Sequence, residues 1–235
     1  MKISWTFHFY TDVMKKFDWK ELEGIERHYY SDRVIFRPLM ECDVYPIFIA
    51  TTNPAFNRYL LWDAPESVSQ LSERIELILD ERRKGQMGVW VAAEITTGAF
   101  VALFRAHEVE RLFNDDQFVV ETGIWLHPSY WLDGLSVEIG GLFMELLFAE
   151  TPASVIRAET HVENRASKGL FRAVGLKHSG SLLVSHENGG LNPSEAFEIR
   201  RQEYKIKGLS RGWYEDIRST KEARLSNSES KKLAV

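Results

Sequence analysis

The sequence predicts an α/β fold, in which a mixed sheet carries helices on its faces. Three observations predict it. From residue 34 onward the elements follow the order β-α-α-β-β-β-α-β-α-β-β, a hairpin meander that leads into alternating strands and helices. The chain has 235 residues, of which 44% are hydrophobic, and this suffices for one domain with additions and a sizeable core. No stretch approaches the ~20 uninterrupted apolar residues of a membrane helix.

The amino-terminal residues predict an addition to this fold. Apolar and polar residues alternate over residues 3–9, which is the period of a half-buried strand. We therefore expect residues 1–31 to form an N-terminal extension with an extra strand. The alternation differs from the continuous apolar run of a signal peptide, so nothing in it predicts export. A short strand over residues 34–39 and a helix over residues 41–52 follow.

The clearest helix covers residues 67–84. Ser67 begins a capping-box pattern, and a run of cations followed by Gly85 closes the carboxyl end. Strands over residues 89–95 and 99–105 come next, joined by a short turn, and together they predict a β-hairpin. The apolar stripe of the helix consists of Val68, Leu71, Ile75 and Leu79.

The carboxyl-terminal half alternates strands and helices. A strand over residues 118–126 leads through a loop that contains Gly134 into an apolar helix over residues 137–150. This helix is expected to be largely buried, because its apolar residues are not confined to one face. The remaining elements are a strand over residues 154–162, a helix over residues 164–174, and strands over residues 181–185 and 196–204.

Residues 205–235 form a basic tail. Apolar periodicity fades there, and eight basic residues stand against four acidic ones, a net charge of +4. The tail is expected to be mobile or, alternatively, to fold back on the acidic remainder of the chain. The chain is thus divided into the extension (1–31), a central domain (32–204) and the tail.

The overall charge narrows the classes of partner. At a net charge of −5, the chain lacks the broad positive field that nucleic-acid-binding proteins use to hold phosphates. A single cysteine, Cys42, excludes an intrachain disulfide and a multi-cysteine metal site. We expect a cytoplasmic protein, monomer or homodimer, that has neither nucleic acid nor membrane as a partner.

One segment, residues 121–138, has the outline of an anion site. A strand runs into a short loop with Gly134 and then into the amino terminus of the apolar helix. Backbone N–H groups and the positive end of the helix dipole converge there. Ordinary strand-to-helix connections share this outline, so the pattern alone does not define a ligand. The common signatures of zinc proteases, P-loop proteins, Rossmann proteins and serine hydrolases are missing from the sequence.

The same segment resembles the GNAT superfamily of acyl-CoA N-acetyltransferases, especially the branch that includes ribosomal-protein N-terminal acetyltransferases. The usual form in that branch is E-I-G-Y-W-L-x-P-x-Y-W-G-K-G-Y-A-T-E-A. Residues 36–39 resemble the family's opening L-R-P-L, Thr97-Gly98 its first hairpin, and residues 162–167 and 174–176 its N-x-x-S and G-F elements. The resemblance covers residues 32–204. The matching positions of the segment are Glu121, Gly123, Trp125, Leu126, Pro128, Tyr130, Trp131, Gly134 and Glu138.

The resemblance implies a GNAT fold, with a mostly antiparallel twisted sheet flanked by helices on both faces. It implies acetyl-CoA as co-substrate, no metal, and direct transfer of an acetyl group to a primary amine of a protein N-terminus or a small molecule. In the family, the strand that carries the equivalents of Trp125 and Leu126 pairs with the pantetheine arm, and Asn164 contacts the cofactor. The implied pyrophosphate-binding residues are Leu132, Asp133, Gly134, Leu135, Ser136 and Val137.

Two residues are implied to be catalytic. Glu121 stands where related enzymes often hold a base, and strand alternation puts it on one face with Gly123 and Trp125, so we expect it to line the acceptor cleft. Ser167 is implied to protonate the leaving thiolate. Simpler alternatives remain open, namely an ion pair on a sheet face for Glu121 and plain helix capping for Asn164 and Ser167.

The segment also departs from the family pattern. Leu132 and Asp133 stand where the family usually has glycine and lysine, and an acid beside a pyrophosphate weakens binding through like charge. Gly134 and Ser136 still permit close backbone approach. Two alternatives follow: a GNAT-fold binding or interaction protein with weakened CoA use, and an enzyme that takes a longer acyl-CoA. The sequence does not identify the acceptor amine, although the acidic body favours a cationic one.

Overall fold

The structure is a computed structural model that describes residues 17–22, 27–109, 117–131, 134–204 and 214–216. The strand predicted within residues 3–9 lies outside the described residues, as does most of the tail. None of the described helices is long and apolar enough to cross a membrane.

A single sheet organises the described part of the chain, and its strand order is β7-β8-β6-β5-β4-β3-β2-β1-β9. Neighbouring strands are antiparallel except for β5 and β6, which are parallel. The strands are β1 (Arg27–Tyr30), β2 (Val34–Pro38), β3 (Met87–Glu94), β4 (Phe100–Val109), β5 (Val119–Leu126), β6 (Val155–His161), β7 (Lys177–Ser185), β8 (Leu191–Arg200) and β9 (Tyr214–Asp216).

Helices cover both faces of the sheet, as predicted. One face packs against the first three helices, around a buried cluster that includes Ile47, Leu71 and Leu103. The other face packs against the last two, around a larger cluster that includes Phe143 and Phe197. The helices are α1 (Val44–Thr51), α2 (Pro54–Asn57), α3 (Val68–Arg83), α4 (Leu135–Glu150) and α5 (Arg165–Ala173).

Helix α4 is the central element of the larger cluster. Ten of its sixteen residues are buried, which confirms the prediction that this helix is largely buried. The ring of Phe143 lies 4.6 Å from that of Phe104 and 5.5 Å from that of Trp90, measured between centroids. These contacts fix α4 across strands β3 and β4, so the start of the helix is held at a defined position beside β5.

The best-supported local predictions are confirmed. Ser67 caps α3, since its hydroxyl accepts a hydrogen bond from the Gln70 N–H at 3.2 Å. Gly85, just after the helix, has a φ of 72°, the left-handed conformation that glycine adopts most readily. Strands β3 and β4 form the predicted hairpin. In each case the signal consists of residues that are close together in the chain, so the sequence alone was enough to predict the feature.

The final hairpin differs from its prediction in extent. Strand β7 begins at residue 177, and β8 covers residues 191–200 although it contains Pro193. Small, polar and proline residues weaken the strand pattern there, yet β7 and β8 pair with each other along their length. Residues 201–203 form a 3-10 turn, and the Arg201 guanidinium donates hydrogen bonds to carbonyls near the end of α4, among them that of Thr151 at 2.7 Å.

The two ends of the described chain meet at one edge of the sheet. Strand β1, within the predicted extension, pairs with β2 of the central domain. Strand β9, within the predicted tail, pairs with β1. At this point the tail therefore returns to the sheet, while the boundaries at residues 31 and 204 stay predictions.

Candidate active site

The site begins where two neighbouring strands separate. Strands β5 and β6 are paired only between residues 119–122 and 155–158. Beyond that point β5 continues to Leu126 and β6 to His161, but the two strands no longer pair with each other. The separated edge of β5 can therefore pair with an extended ligand chain, as an exposed strand edge does. An added Cβ at Gly123 would meet no atom within 4 Å, so the backbone is accessible there.

Helix α4 starts beside this separated edge. Gly134 is its N-cap, with a φ of 77° and a ψ of −7°. The first N–H groups of a helix have no carbonyl partner one turn back, and they carry the positive end of the helix dipole. Leu135, Ser136 and Val137 form this first turn, as the anion-site outline requires. Two of the implied pyrophosphate-binding residues, Leu132 and Asp133, lie outside the described residues.

Trp125 and Leu126 end β5 at the separation. The Trp125 ring lies on the same sheet face as Glu121 and packs on Trp62, with centroids 5.1 Å apart. The Leu126 side chain packs toward the opposite cluster. The Leu126 carbonyl accepts a hydrogen bond from the Trp131 indole at 2.9 Å, which ties the following loop to the end of the strand.

Helix α5 starts on the other side of the separation. The Asn164 side-chain oxygen accepts a hydrogen bond from the Ser167 N–H at 3.1 Å. The capping interpretation is therefore correct for Asn164, and a cofactor contact for it remains a prediction. A narrow apolar cavity of about 30 Å³ lies between β5, β6 and helices α4 and α5, and its lining includes Ile124, Gly140 and Leu170.

Glu121 lies on the opposite sheet face from these helix starts, within a charged cluster. The cluster consists of Arg105, His107, Glu121, Arg157 and Glu159. In the β4 ladder Glu121 faces His107, and its Oε1 lies 3.9 Å from the His107 Nε2. In the β6 ladder it faces Arg157. The Arg157 guanidinium hydrogen-bonds to Glu159 on its own strand at 2.5 Å.

The cluster changes the proton affinities of its members. Burial, aided by the charge of Glu159, raises the pKa of Glu121 to about 7, against the opposing effect of Arg157 and Arg105. Burial, together with Arg105, lowers the pKa of His107 to about 4. At neutral pH His107 is therefore uncharged, and the Glu121 carboxyl is protonated in part of the molecules.

A second cavity, which we call the acceptor cavity after the role proposed for it below, lies at the mouth of the separation. It has a volume of about 410 Å³. Trp62 forms part of its wall and packs against Trp125, while the Tyr59 and His161 rings stack with centroids 5.3 Å apart. The other lining residues are Asn57, Arg58, Leu60, Asp63, Ala64, Glu163, His186 and Asn192.

Glu187 joins the two segments that border the acceptor cavity. Its carboxylate accepts a hydrogen bond from the Asp63 N–H at 2.8 Å and lies 3.2 Å from the Arg74 guanidinium. Its own N–H donates to the Leu61 carbonyl at 3.0 Å. The Arg74 guanidinium also lies over the Trp62 ring, 4.3 Å from its centroid. The β7–β8 turn, the loop before α3 and α3 itself are thus fixed to one another.

The sequence analysis missed most of the charged cluster and the role of Glu187. One signal for the cluster was present, because Arg157 and Glu159 alternate with the apolar residues of a strand inside the sheet. Charges at every second position of an inner strand indicate a polar site on that face. No local signal indicated the contacts of Glu187, because its partners lie more than a hundred residues away.

No group of three or more His, Cys, Asp or Glu side chains suited to a metal ion occurs in the part of the chain that the structure describes.

A family model for the acetyltransferase (GNAT) domain matches residues 33–177, more than half of the chain. The chain belongs to the GNAT acetyltransferase family.

Several relatives of this GNAT chain have been described. YoaA, an uncharacterized N-acetyltransferase of Bacillus subtilis, is 24% identical over 176 residues, which cover 72% of this chain and 94% of YoaA. The ribosomal-protein-S5-alanine acetyltransferase of Vibrio fischeri superposes with a TM-score of 0.59 at 14% identity, over 76% and 98% of the two chains. The spermidine N-acetyltransferase of Vibrio cholerae, solved with CoA and spermine, superposes with a TM-score of 0.59 at 18% identity, over 73% of this chain and 97% of that one.

These comparisons confirm the predicted resemblance and the predicted fold class. The proposals for cofactor-binding and catalytic residues rest on the sequence and on the geometry described above.

Proposed function

We infer that this GNAT chain transfers the acetyl group of acetyl-CoA to a primary amine, of a protein N-terminus or a small molecule, by direct attack. The observation that carries the proposal is the position of Glu121. Its carboxyl lies on the face of β5 that continues to the acceptor cavity, and the helix starts expected to hold CoA lie on the other face. A sheet that opens between these two sides lets the donor and the acceptor meet.

The residues at the separation fit acetyl-CoA. The backbone of β5 at Trp125 and Leu126 would pair with the pantetheine arm, and the α4 start at Gly134, Leu135, Ser136 and Val137 would hold the pyrophosphate. Asn164 would contact the cofactor from α5, and Leu132 and Asp133 would complete the loop. Acetyl-CoA supplies the activated acetyl thioester.

Glu121 is the proposed general base. An amine attacks only when it is neutral, so the proton of the acceptor ammonium must leave first, directly or through a water molecule. A base works best when its pKa is near the working pH, and the Glu121 pKa of about 7 meets this condition. The new bond joins the amine nitrogen to the acetyl carbon, and the C–S bond breaks. Ser167 is proposed to donate a proton to the leaving thiolate and to be reprotonated by the second proton that the attacking nitrogen loses.

Acetyl-CoA binding is the first test of this proposal. We expect calorimetry with the purified chain to show a Kd in the micromolar range, as for many enzyme substrates. A mass-spectrometric screen of amines and peptide N-termini with acetyl-CoA should then yield an acetylated product. The absence of both binding and product would contradict the proposal and favour the GNAT-fold binding or interaction protein with weakened CoA use. Binding without any product from these amines would contradict the proposed amine acceptor.

Gly134→Val should weaken CoA binding by about tenfold or more, because a side chain at positive φ costs on the order of 1–2 kcal/mol and displaces the start of α4. Calorimetry measures the change. Gly98→Val is the matched control, since Gly98 has a similar φ of 72° and the same open surroundings in the β3–β4 turn. Equal losses of affinity in both variants would show that the α4 start has no special role.

Glu187→Ala should raise the KM for the acceptor about fivefold to tenfold, because a hydrogen bond to a charged group contributes about 1.5 kcal/mol. The Kd for acetyl-CoA should stay unchanged, since the two segments that Glu187 joins border the acceptor cavity. Steady-state kinetics and calorimetry separate the two effects. Glu203→Ala, which breaks a surface pair with Lys177 at 3.0 Å, is the control. A rise in the acetyl-CoA Kd alone would assign the cavity to the donor.

A further inference from the structure

In the charged cluster, the Arg157 guanidinium does not bind the carboxylate of Glu121, which lies opposite it on the neighbouring strand. Arg157 is the register partner of Glu121 across the β5–β6 ladder, where neighbouring strands are about 4.8 Å apart. Its terminal nitrogen instead binds Glu159, two residues along its own strand, at 2.5 Å. Its Nε is buried and has no hydrogen-bond partner. Arg157 therefore retains a donor that a nearby carboxylate could use.

The groups that face Glu121 come from both neighbouring strands. Strand β4 contributes Arg105 and His107, and β6 contributes Arg157 and Glu159. His107 is uncharged at neutral pH, for the reason given above. Farther out, the negative charge of Glu81 in α3 favours the charged form of Arg105. Glu198 of β8 is the ladder partner of Arg157. Of the two cations that face Glu121, only Arg157 has a carboxylate bound on its own strand in the described structure.

We propose that Glu159 is a positioning residue that binds Arg157 and so prevents the Arg157 guanidinium from forming an ion pair with Glu121. The inference rests on the proposed function, in which Glu121 accepts the proton of the acceptor amine. A carboxylate paired with arginine loses much of its affinity for a proton. It would then be a poor base near neutral pH. Glu159 thus keeps Glu121 available by acting through Arg157.

The test is Glu159→Gln, which keeps the size of the side chain and removes its charge. We expect the pKa of Glu121 to fall by about one to two units, because Arg157 is released toward it. A ¹³C NMR titration of the side-chain carboxyl measures this directly, with Glu121→Gln to assign the signal. The acidic limb of the kcat/KM profile should move to lower pH by the same amount. An unchanged Glu121 titration would overturn the inference.

A second variant separates release of Arg157 from the simple loss of a negative charge. In an Arg157→Gln background, Glu159→Gln should change the Glu121 titration by less than half as much as it does in the native chain. Equal changes in both backgrounds would show that Glu159 acts by its own charge alone, and would overturn the positioning role. Glu159→Asp, which keeps the charge, should restore most of the native titration.

Glu195→Gln is the matched control for Glu159→Gln. Glu195 lies on the neighbouring strand, but its carboxylate faces α5 and lies 3.4 Å from the Lys168 ammonium. It should leave the Glu121 titration unchanged. The NMR measurement needs no substrate, so the two proposals fail separately. A native chain without transferase activity at any pH would contradict the proposed function, whereas an unmoved Glu121 signal would contradict only the role of Glu159.

Discussion

Glu121→Gln is expected to lower kcat/KM by about 10²- to 10⁴-fold at pH 8, because the acceptor amine loses its general base. This corresponds to about 3 to 5 kcal/mol of transition-state stabilisation. The variant should also lose the acidic limb near pH 7 that the Glu121 carboxyl gives to the pH profile. Initial rates with an acceptor from the amine screen, measured between pH 5 and 9, would show both effects.

The control for this variant is Glu108→Gln. Glu108 follows His107 on β4, and its carboxylate accepts a hydrogen bond from the Phe17 N–H at 3.3 Å, away from the charged cluster. Its kcat/KM should match that of the native chain. If Glu121→Gln retained native activity and the native pH profile, Glu121 would be only a sheet-face ion-pair partner, the simpler of the two interpretations of the sequence.

Glu121→Gln should also stabilise the fold at high pH. The pKa of Glu121 is about 7 in the folded chain, above its ordinary value of 4.5. A raised pKa of this kind contributes stability below pH 4.5, and that contribution is lost as the pH rises through 7. The free energy of unfolding of Glu121→Gln, relative to the native chain, should therefore increase from pH 5 to pH 8 in urea titrations. In the proposed function, this loss of stability accompanies a base that can work near neutral pH.

Phe143→Ala is expected to lower the free energy of unfolding by about 3 to 5 kcal/mol, the usual cost of removing a buried phenylalanine ring. The Phe143 side chain is only 1% exposed and contacts three aromatic rings of the sheet. Its loss leaves a cavity that the rigid sheet cannot close. Urea denaturation followed by tryptophan fluorescence would measure the change.

Leu77→Ala in α3 is the control for Phe143→Ala. The Leu77 side chain is 68% exposed, so its truncation should change stability by less than about 0.5 kcal/mol. Similar losses in the two variants would show that α4 is not the element that organises the core. A loss confined to Phe143 would agree with the position of α4 between the core and the separation of β5 and β6.

Local signals in the sequence determined the elements that hold the candidate site. The capping residue of α3, the β3–β4 hairpin and the continuous apolar character of α4 all depend on residues close together in the chain. The apolar stripe of α3 was predicted in part: Leu71 and Ile75 are buried, whereas Val68 is exposed and Ile78 is buried in its place. The segment from Glu121 to Glu138 could be interpreted for the same reason. Its strand, loop and helix start follow one another directly in the chain.

The contacts that surround the proposed base were decided by the tertiary structure. Arg105, Glu121 and Arg157 are brought together by the register of three strands, and Glu187 reaches Arg74 across more than a hundred residues. The full length of β7 and β8 likewise depends on their pairing with each other. Strand register and burial are set by distant parts of the chain. The sequence by itself therefore determined which segment holds the candidate site, whereas the folded sheet decided which charges surround Glu121 and how strongly it binds a proton.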